Sequence, residues 1–110
     1  TLVYPNADDT VEEIQKHLQE YELTCPAVRD PKHQLVQLAK VSVTPEAAVF
    51  DPSGKLLYHG RIDNRYVDFG QARSEATQHD LEKAVGAILQ GESVKQPTTE
   101  AIGCSIAGAL

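Results

Sequence analysis

Cysteine is scarce: the 110 residues hold two, Cys25 and Cys104, far apart and with no Cys-X-X-Cys between them. That excludes a disulfide scaffold and fits no zinc spacing. Two thiols leave the redox compartment open, and also whether they pair. Basic side chains are few, 10 against 16 acidic ones, for a formal net charge of −6. Nucleic-acid or anionic-membrane binding is disfavoured, because either needs a basic face to displace counterions. No apolar run approaches the roughly 18 residues of a membrane span. Gly-X-Gly-X-X-Gly, P-loop and Gly-X-Ser-X-Gly patterns are missing, which removes the sequence signals for dinucleotide, nucleotide and serine-hydrolase sites. The four histidines, His17, His33, His59 and His79, share no metal spacing. No metal and no cofactor is therefore expected. Thr1 to Pro5 reads as a strand rather than a signal peptide, and a start without Met reads as a processed chain or a fragment.

What is present fits one soluble globular domain with a single modest core, since 41% of residues are apolar and 24% charged. Leu2-Val3-Tyr4 is a short strand stopped by Pro5. Thr10 and Glu13 form a capping box for a helix over about 10–21, with Val11, Ile14, Leu18 and Tyr21 as its apolar stripe. Leu23 to Val28 is extended, because proline pushes Cys25 out of helical space. Cys25 is expected as a buried structural thiol in this apolar stretch. Asp30-Pro31 predicts a second helix start, over about 31–39, burying Leu35, Leu38 and Ala39. A third helix is capped by Thr77 with Asp80 three residues on. Its stripe is Leu81, Ala84, Val85, Ile88 and Leu89, and Gly91 ends it. Repeats and low-complexity segments are absent. The last residues, from Glu92, have no period but an apolar end, so this tail is expected to dock.

Between the second and third helices, Ala47–Phe50 and Leu56–Gly60 read as a β-hairpin around Asp51-Pro52-Ser53-Gly54. Thr44-Pro45 opens it, as either an ordinary strand start or a cis bond. The following loop, Arg61 to Glu75, is long enough to be functional. Arg61, Asp63, Arg65, Tyr66 and Asp68 either order a site-lining loop or close a surface loop with their own ion pairs. Cys104 follows Gly103 in the apolar tail, as a redox thiol or simply as packing.

The ordered set Val-Tyr-Pro-Asn-Ala-Asp (3–8), Arg-Asp-Pro (29–31), Val-Thr-Pro-Glu (43–46), Gly-Arg-Ile-Asp-Asn-Arg-Tyr-Val-Asp-Phe-Gly (60–70) and Ile-Gly-Cys (102–104) spans the chain. It resembles the redoxin domains of the alkyl hydroperoxide reductase/thiol-specific antioxidant superfamily. The resemblance implies an α/β, three-layer thioredoxin-like fold, β-α-β-α-β-β-α, over residues 1–92, with 93–110 as a tail docking on the domain or a partner chain. It implies that Pro45 is cis and faces a catalytic cysteine and that Thr44 offers its backbone to an extended substrate. With them, Arg61 and Arg65 of the charged loop are candidate substrate-binding residues and Cys104 is a candidate resolving thiol. The parent activity would be thiol–disulfide oxidoreduction or peroxiredoxin-like antioxidant chemistry on a protein or small-molecule thiol, disulfide or peroxide. Many members are exported.

The chain departs from that pattern at its start. The strand, the Asp-Cys-Pro site and the long helix that open the family domain are not among these residues. The nucleophile is therefore expected upstream, and the chain alone is expected to be inactive. The missing strand is central, so its absence leaves backbone edges unpaired. Three remedies are open: an N-terminal part supplied by the parent, strand exchange or a homodimer, or the tail folding into the gap. A non-catalytic binding or assembly module on the same scaffold is the alternative reading.

Overall fold

The computed structural model describes residues 1–68 and 70–106. Phe69 of the long loop and residues 107–110 of the tail lie outside the described residues. The architecture is mixed α/β, with short helices and, among the described residues, four two-stranded sheets. No helix among the described residues is long and apolar enough to cross a membrane.

β1 (Leu2–Tyr4) runs into α1 (Val11–Glu20) and returns as β2 (Ala27–Arg29), which pairs with β1 in parallel. Thr10 caps the helix as expected, its Oγ1 accepting from the Glu13 amide at 3.2 Å, while Glu13 answers through the Thr10 hydroxyl, which donates to its Oε1 at 3.0 Å. Ile14 is buried, but Val11 and Tyr21 at the two ends of the stripe stay exposed. Cys25 is exposed, correcting the expectation of a buried thiol. It lies in the connection between α1 and β2.

α2 is Gln34–Ala39, shorter than the sequence predicts. Asp30 does cap it, but by reaching across a turn. Its carboxylate accepts from the Gln34 amide at 2.8 Å and the Val36 amide at 3.0 Å. Pro31 therefore lies in the turn instead of opening the helix, and His33 takes a left-handed conformation, φ 58°. The His33 imidazole is buried and hydrogen-bonds the Pro5 carbonyl at 2.8 Å. This anchorage turns Val36 and Ala39 inward and leaves Leu35 and Leu38 outside, Leu38 at 65% exposure. The predicted burial of both leucines is wrong; that of Ala39 holds.

β3 (Val43–Thr44) precedes the hairpin of β4 (Ala47–Phe50) and β5 (Leu56–Gly60), antiparallel with Ala47 opposite Gly60. Gly54 at φ 90° closes the turn as its sequence requires. The loop after β5 contains a further small hairpin, β6 (Tyr66–Asp68) with β7 (Gln71–Ala72).

α3 (Asp80–Leu89) begins at His79 without a side-chain cap. Thr77, predicted as the cap, is otherwise engaged: its hydroxyl accepts from Asn64 Nδ2 at 2.7 Å. Gly91 follows the helix at φ 75°, the terminator expected. Of the stripe, Ala84 is buried while Val85 and Leu89 are exposed, Leu89 at 81%.

The tail docks. The Pro97 carbonyl accepts from the His59 amide and the Thr99 amide donates to the His59 carbonyl, which lays Thr98 alongside β5 in parallel. Further on, β8 (Cys104–Ser105) pairs antiparallel with β3, and Ile106 is buried at 7% exposure. These contacts sit on β5 and β3. They do not join β1–β2 to β4–β5, which remain separate sheets, so within the described residues the tail does not bridge the expected gap.

Candidate functional site

The Thr44–Pro45 peptide bond is cis. Glu46, just after it, organises the approach: its Oε1 accepts from the Ser42 amide at 3.0 Å and the Val43 amide at 3.4 Å. Its Oε2 faces His59 Nδ1 at 3.4 Å, and the other ring nitrogen of His59 stands 3.4 Å from Thr98 Oγ1. One carboxylate thus ties β3 to β5, and one imidazole continues the tie to the tail.

Cys104 stands directly across the ladder from Thr44, so two of the predicted site residues are brought side by side. Gly103 makes this approach possible. A Cβ there would lie 2.7 Å from the Thr44 carbonyl carbon and 3.2 Å from the Pro45 nitrogen, inside contact distance. The Cys104 thiol is free and exposed.

A cleft of about 200 Å³ opens next to Pro45, lined by Arg61, Ile62, Asp63, Arg65, Tyr66, Glu100 and Ile102. A second, of about 260 Å³, shares Arg61, Tyr66, Glu100 and Ile102 with it and adds Arg73 and Asn64. The long loop forms one wall and the tail the other.

The two predicted arginines play different parts. Arg61 is held internally: Nε donates to Asp80 Oδ2 at 2.6 Å and Nη2 to Gln78 Oε1 at 2.9 Å. Its side chain is 29% exposed and that of Asp80 5%, so this pair fastens the end of β5 to the start of α3. Arg65 is exposed at the cleft rim, where its amide donates to Asp63 Oδ1 at 2.9 Å.

Three residues that the sequence did not single out hold the walls in place. Buried Asn64 accepts from the Thr77 and Gln78 amides, both at 2.8 Å, through one oxygen. Tyr58, 1% exposed, donates to the Arg61 carbonyl at 2.6 Å and shares a second 2.6 Å bond with Thr99 Oγ1. Burial pushes the Tyr58 phenol above its ordinary pKa, partly offset by the Thr99 bond. The Thr99 hydroxyl also accepts from the Arg61 amide at 3.0 Å. No motif marks these residues. Only the alternation along β5, with Tyr58 facing inward, gave a signal.

No family model and no curated protein matches the chain. Among solved structures it is similar to a hypothetical protein from Sinorhizobium meliloti 1021, with a TM-score of 0.72 and 27% identity, covering 90% of this chain and 52% of that one. It is also similar to an uncharacterized conserved protein from Geobacillus kaustophilus, with a TM-score of 0.69 and 24% identity, covering 90% of this chain and 51% of that one. The chain thus shares a fold with both proteins over most of its length, and spans about half the length of each.

Proposed function

We propose that the chain is the later part of a thioredoxin-fold redoxin domain, and that the parent protein is a thiol–disulfide oxidoreductase or a thiol-dependent peroxidase. The observation that carries this is the pairing of Cys104 with Thr44, the residue before Pro45, which itself lines a cleft together with Arg65. It supports a reading in which an upstream thiolate lies against Pro45. That thiolate would attack the terminal peroxide oxygen, forming an S–O bond as the O–O bond breaks, and the departing oxygen would leave as water or alcohol after taking up a proton. A second thiol would then displace water from the sulfenic acid to give a disulfide, and Cys104 is the candidate for that step. Arg65 would orient an anionic or polar substrate group, while Arg61 shapes the wall through Asp80.

A second reading, a non-catalytic binding or assembly module, is favoured by the apolar surface that the helices leave uncovered at Val11, Leu35, Leu38, Val85 and Leu89. Such faces mark a docking partner or a further part of the same domain.

The test uses peroxide with a dithiol reductant. The full-length parent is expected to turn over, to lose activity on Pro45→Thr, and to carry a cysteine in the segment preceding Thr1. The 110-residue chain alone is expected to show none. Turnover by the pure chain would sink the upstream nucleophile. An inactive parent without that cysteine would decide for the binding module.

A further inference from the structure

The larger cleft, of about 260 Å³, is not lined by Pro45. Its wall is mostly polar, with Arg61, Asn64, Arg73, Gln78 and Glu100, and Tyr66 adds an aromatic ring. Some of these groups are already engaged. Arg61 matches its charge to Asp80 and takes Gln78 Oε1 as a second acceptor. Asn64 is held by Thr77 and Gln78. Two full charges of opposite sign remain, Arg73 and Glu100. Both are exposed, and none of the ion pairs among the described residues joins them to each other or to a third group.

Each charge stands on anchored backbone. The Arg73 amide donates to the Arg65 carbonyl at 2.6 Å and its Nε to the Asn64 carbonyl at 3.1 Å. The two terminal nitrogens of the guanidinium are left for a carboxylate, which they suit as a planar fork. Glu100 follows Thr99, whose amide bonds the His59 carbonyl and whose hydroxyl serves Tyr58 and the Arg61 amide. The loop wall thus offers a cation and the tail wall an anion, across a space smaller than drug-sized ligands need. A lone anion would meet Glu100 there, and a lone cation Arg73. A small ligand carrying both charges satisfies both walls. We propose that this cleft binds a small free α-amino acid as its zwitterion. The carboxylate sits on the Arg73 guanidinium and on the Gln78 side-chain NH2, which the bond from Arg61 to Gln78 Oε1 leaves free to donate. The ammonium sits on Glu100. Such charge-assisted bonds are the stronger kind, and fixed walls lower the cost of ordering the site. The cleft would take this ligand whatever chemistry the parent performs, so the site stands apart from the redox reading.

The experiment titrates the full 110-residue chain with L-alanine, N-acetyl-L-alanine and L-alaninamide, read by NMR shifts of the backbone amides. So small a ligand is expected to bind in the millimolar range, moving the amides of Arg65, Arg73 and Glu100. The two derivatives each lack one charge and are expected to bind about ten-fold more weakly. Glu100→Gln should bring L-alanine down to the level of N-acetyl-L-alanine, and Arg73→Gln should erase the preference for L-alanine over L-alaninamide. No shift at these amides across the millimolar range overturns the proposal, as does equal binding of the three compounds. An N-acetyl compound that binds as well as L-alanine would make this a plain anion site and sink the zwitterion. Should Arg73→Gln fail to fold for want of its bond to Asn64, the three compounds on the wild-type and Glu100→Gln chains carry the same decision.

Discussion

Tyr58 holds three pieces of chain with one oxygen, bonding the Arg61 carbonyl at the end of β5 and Thr99 in the tail. Tyr58→Phe keeps the ring but removes both bonds, and is expected to cost about 1–2 kcal/mol in urea unfolding. The same phenol makes alkaline pH destabilising. Its folded pKa is raised by burial, so its contribution is full below the unfolded value near 10 and is lost as pH rises through the folded one. Alkaline denaturation should therefore be shallower in the Phe variant. Arg61 and Asp80 give a second residue-scale prediction. Arg61→Met strands a nearly buried carboxylate, whereas Asp80→Asn leaves an arginine that still reaches water and Gln78. The first is expected to cost about 2–3 kcal/mol and the second distinctly less, as compared by thermal melts. Equal losses would refute the asymmetry. Sequence grouped Arg61 with Arg65 because both sit in one charged loop. The partner of Arg61 is Asp80, which read as the acid three residues after the Thr77 cap, and only folding brings them together.

At the scale of elements, the β4–β5 hairpin was the most legible part, because its turn chemistry is local. Asp51 Oδ1 accepts from the Ser53 amide at 2.9 Å, the Ser53 hydroxyl at 2.6 Å and the Lys55 amide at 2.9 Å. The Ser53 hydroxyl bond, followed by the Lys55 amide bond, holds the carboxyl pKa below its usual value. Its stabilising effect is present above the unfolded pKa and lost as pH falls through the folded one. Asp51→Asn should accordingly flatten the acid limb of the stability profile, and an unchanged limb would argue against the turn's role. At the other end of β5, Gly60 sits at φ 147°, where a Cβ would lie 2.8 Å from the Thr99 nitrogen. Gly60→Ala is expected to cost about 2 kcal/mol or more by chemical denaturation. The helices were less legible than the hairpin. Their existence follows from periodicity, but which face turns inward depends on anchors such as His33 on Pro5, which span the sequence. That is why Leu35 and Leu38 were misplaced. The capping of α3 failed for a related reason: Thr77 and Asp80 had been claimed by Asn64 and Arg61.

For the whole molecule, β3, β6, β7 and β8 were not foreseen, whereas the succession β1, α1, β2, α2, β4, β5, α3 was readable, and so was the docking of an apolar tail. Where the tail docks was not, since nothing in residues 97–106 states that Thr99 belongs to Tyr58 or Gly103 to Thr44. The hydrogen-bond map has a further consequence. The bonds described for β1, α1, β2 and α2 close within residues 1–41, as with Leu2 to Pro26, Asp30 to Tyr4 and His33 to Pro5. Those of β3 through β8 close within residues 42–106, as with Ile106 to Ser42 and Leu81 to Ile62. Among the described residues these bonds thus form two separate seams, which meet where α2 lies against β5. Cooperative unfolding units tend to follow such seams. Native-state hydrogen exchange in mild denaturant is expected to sort the amides into two groups dividing near Val41, with the earlier group opening first. A single common opening energy for both would show that packing alone binds them into one unit.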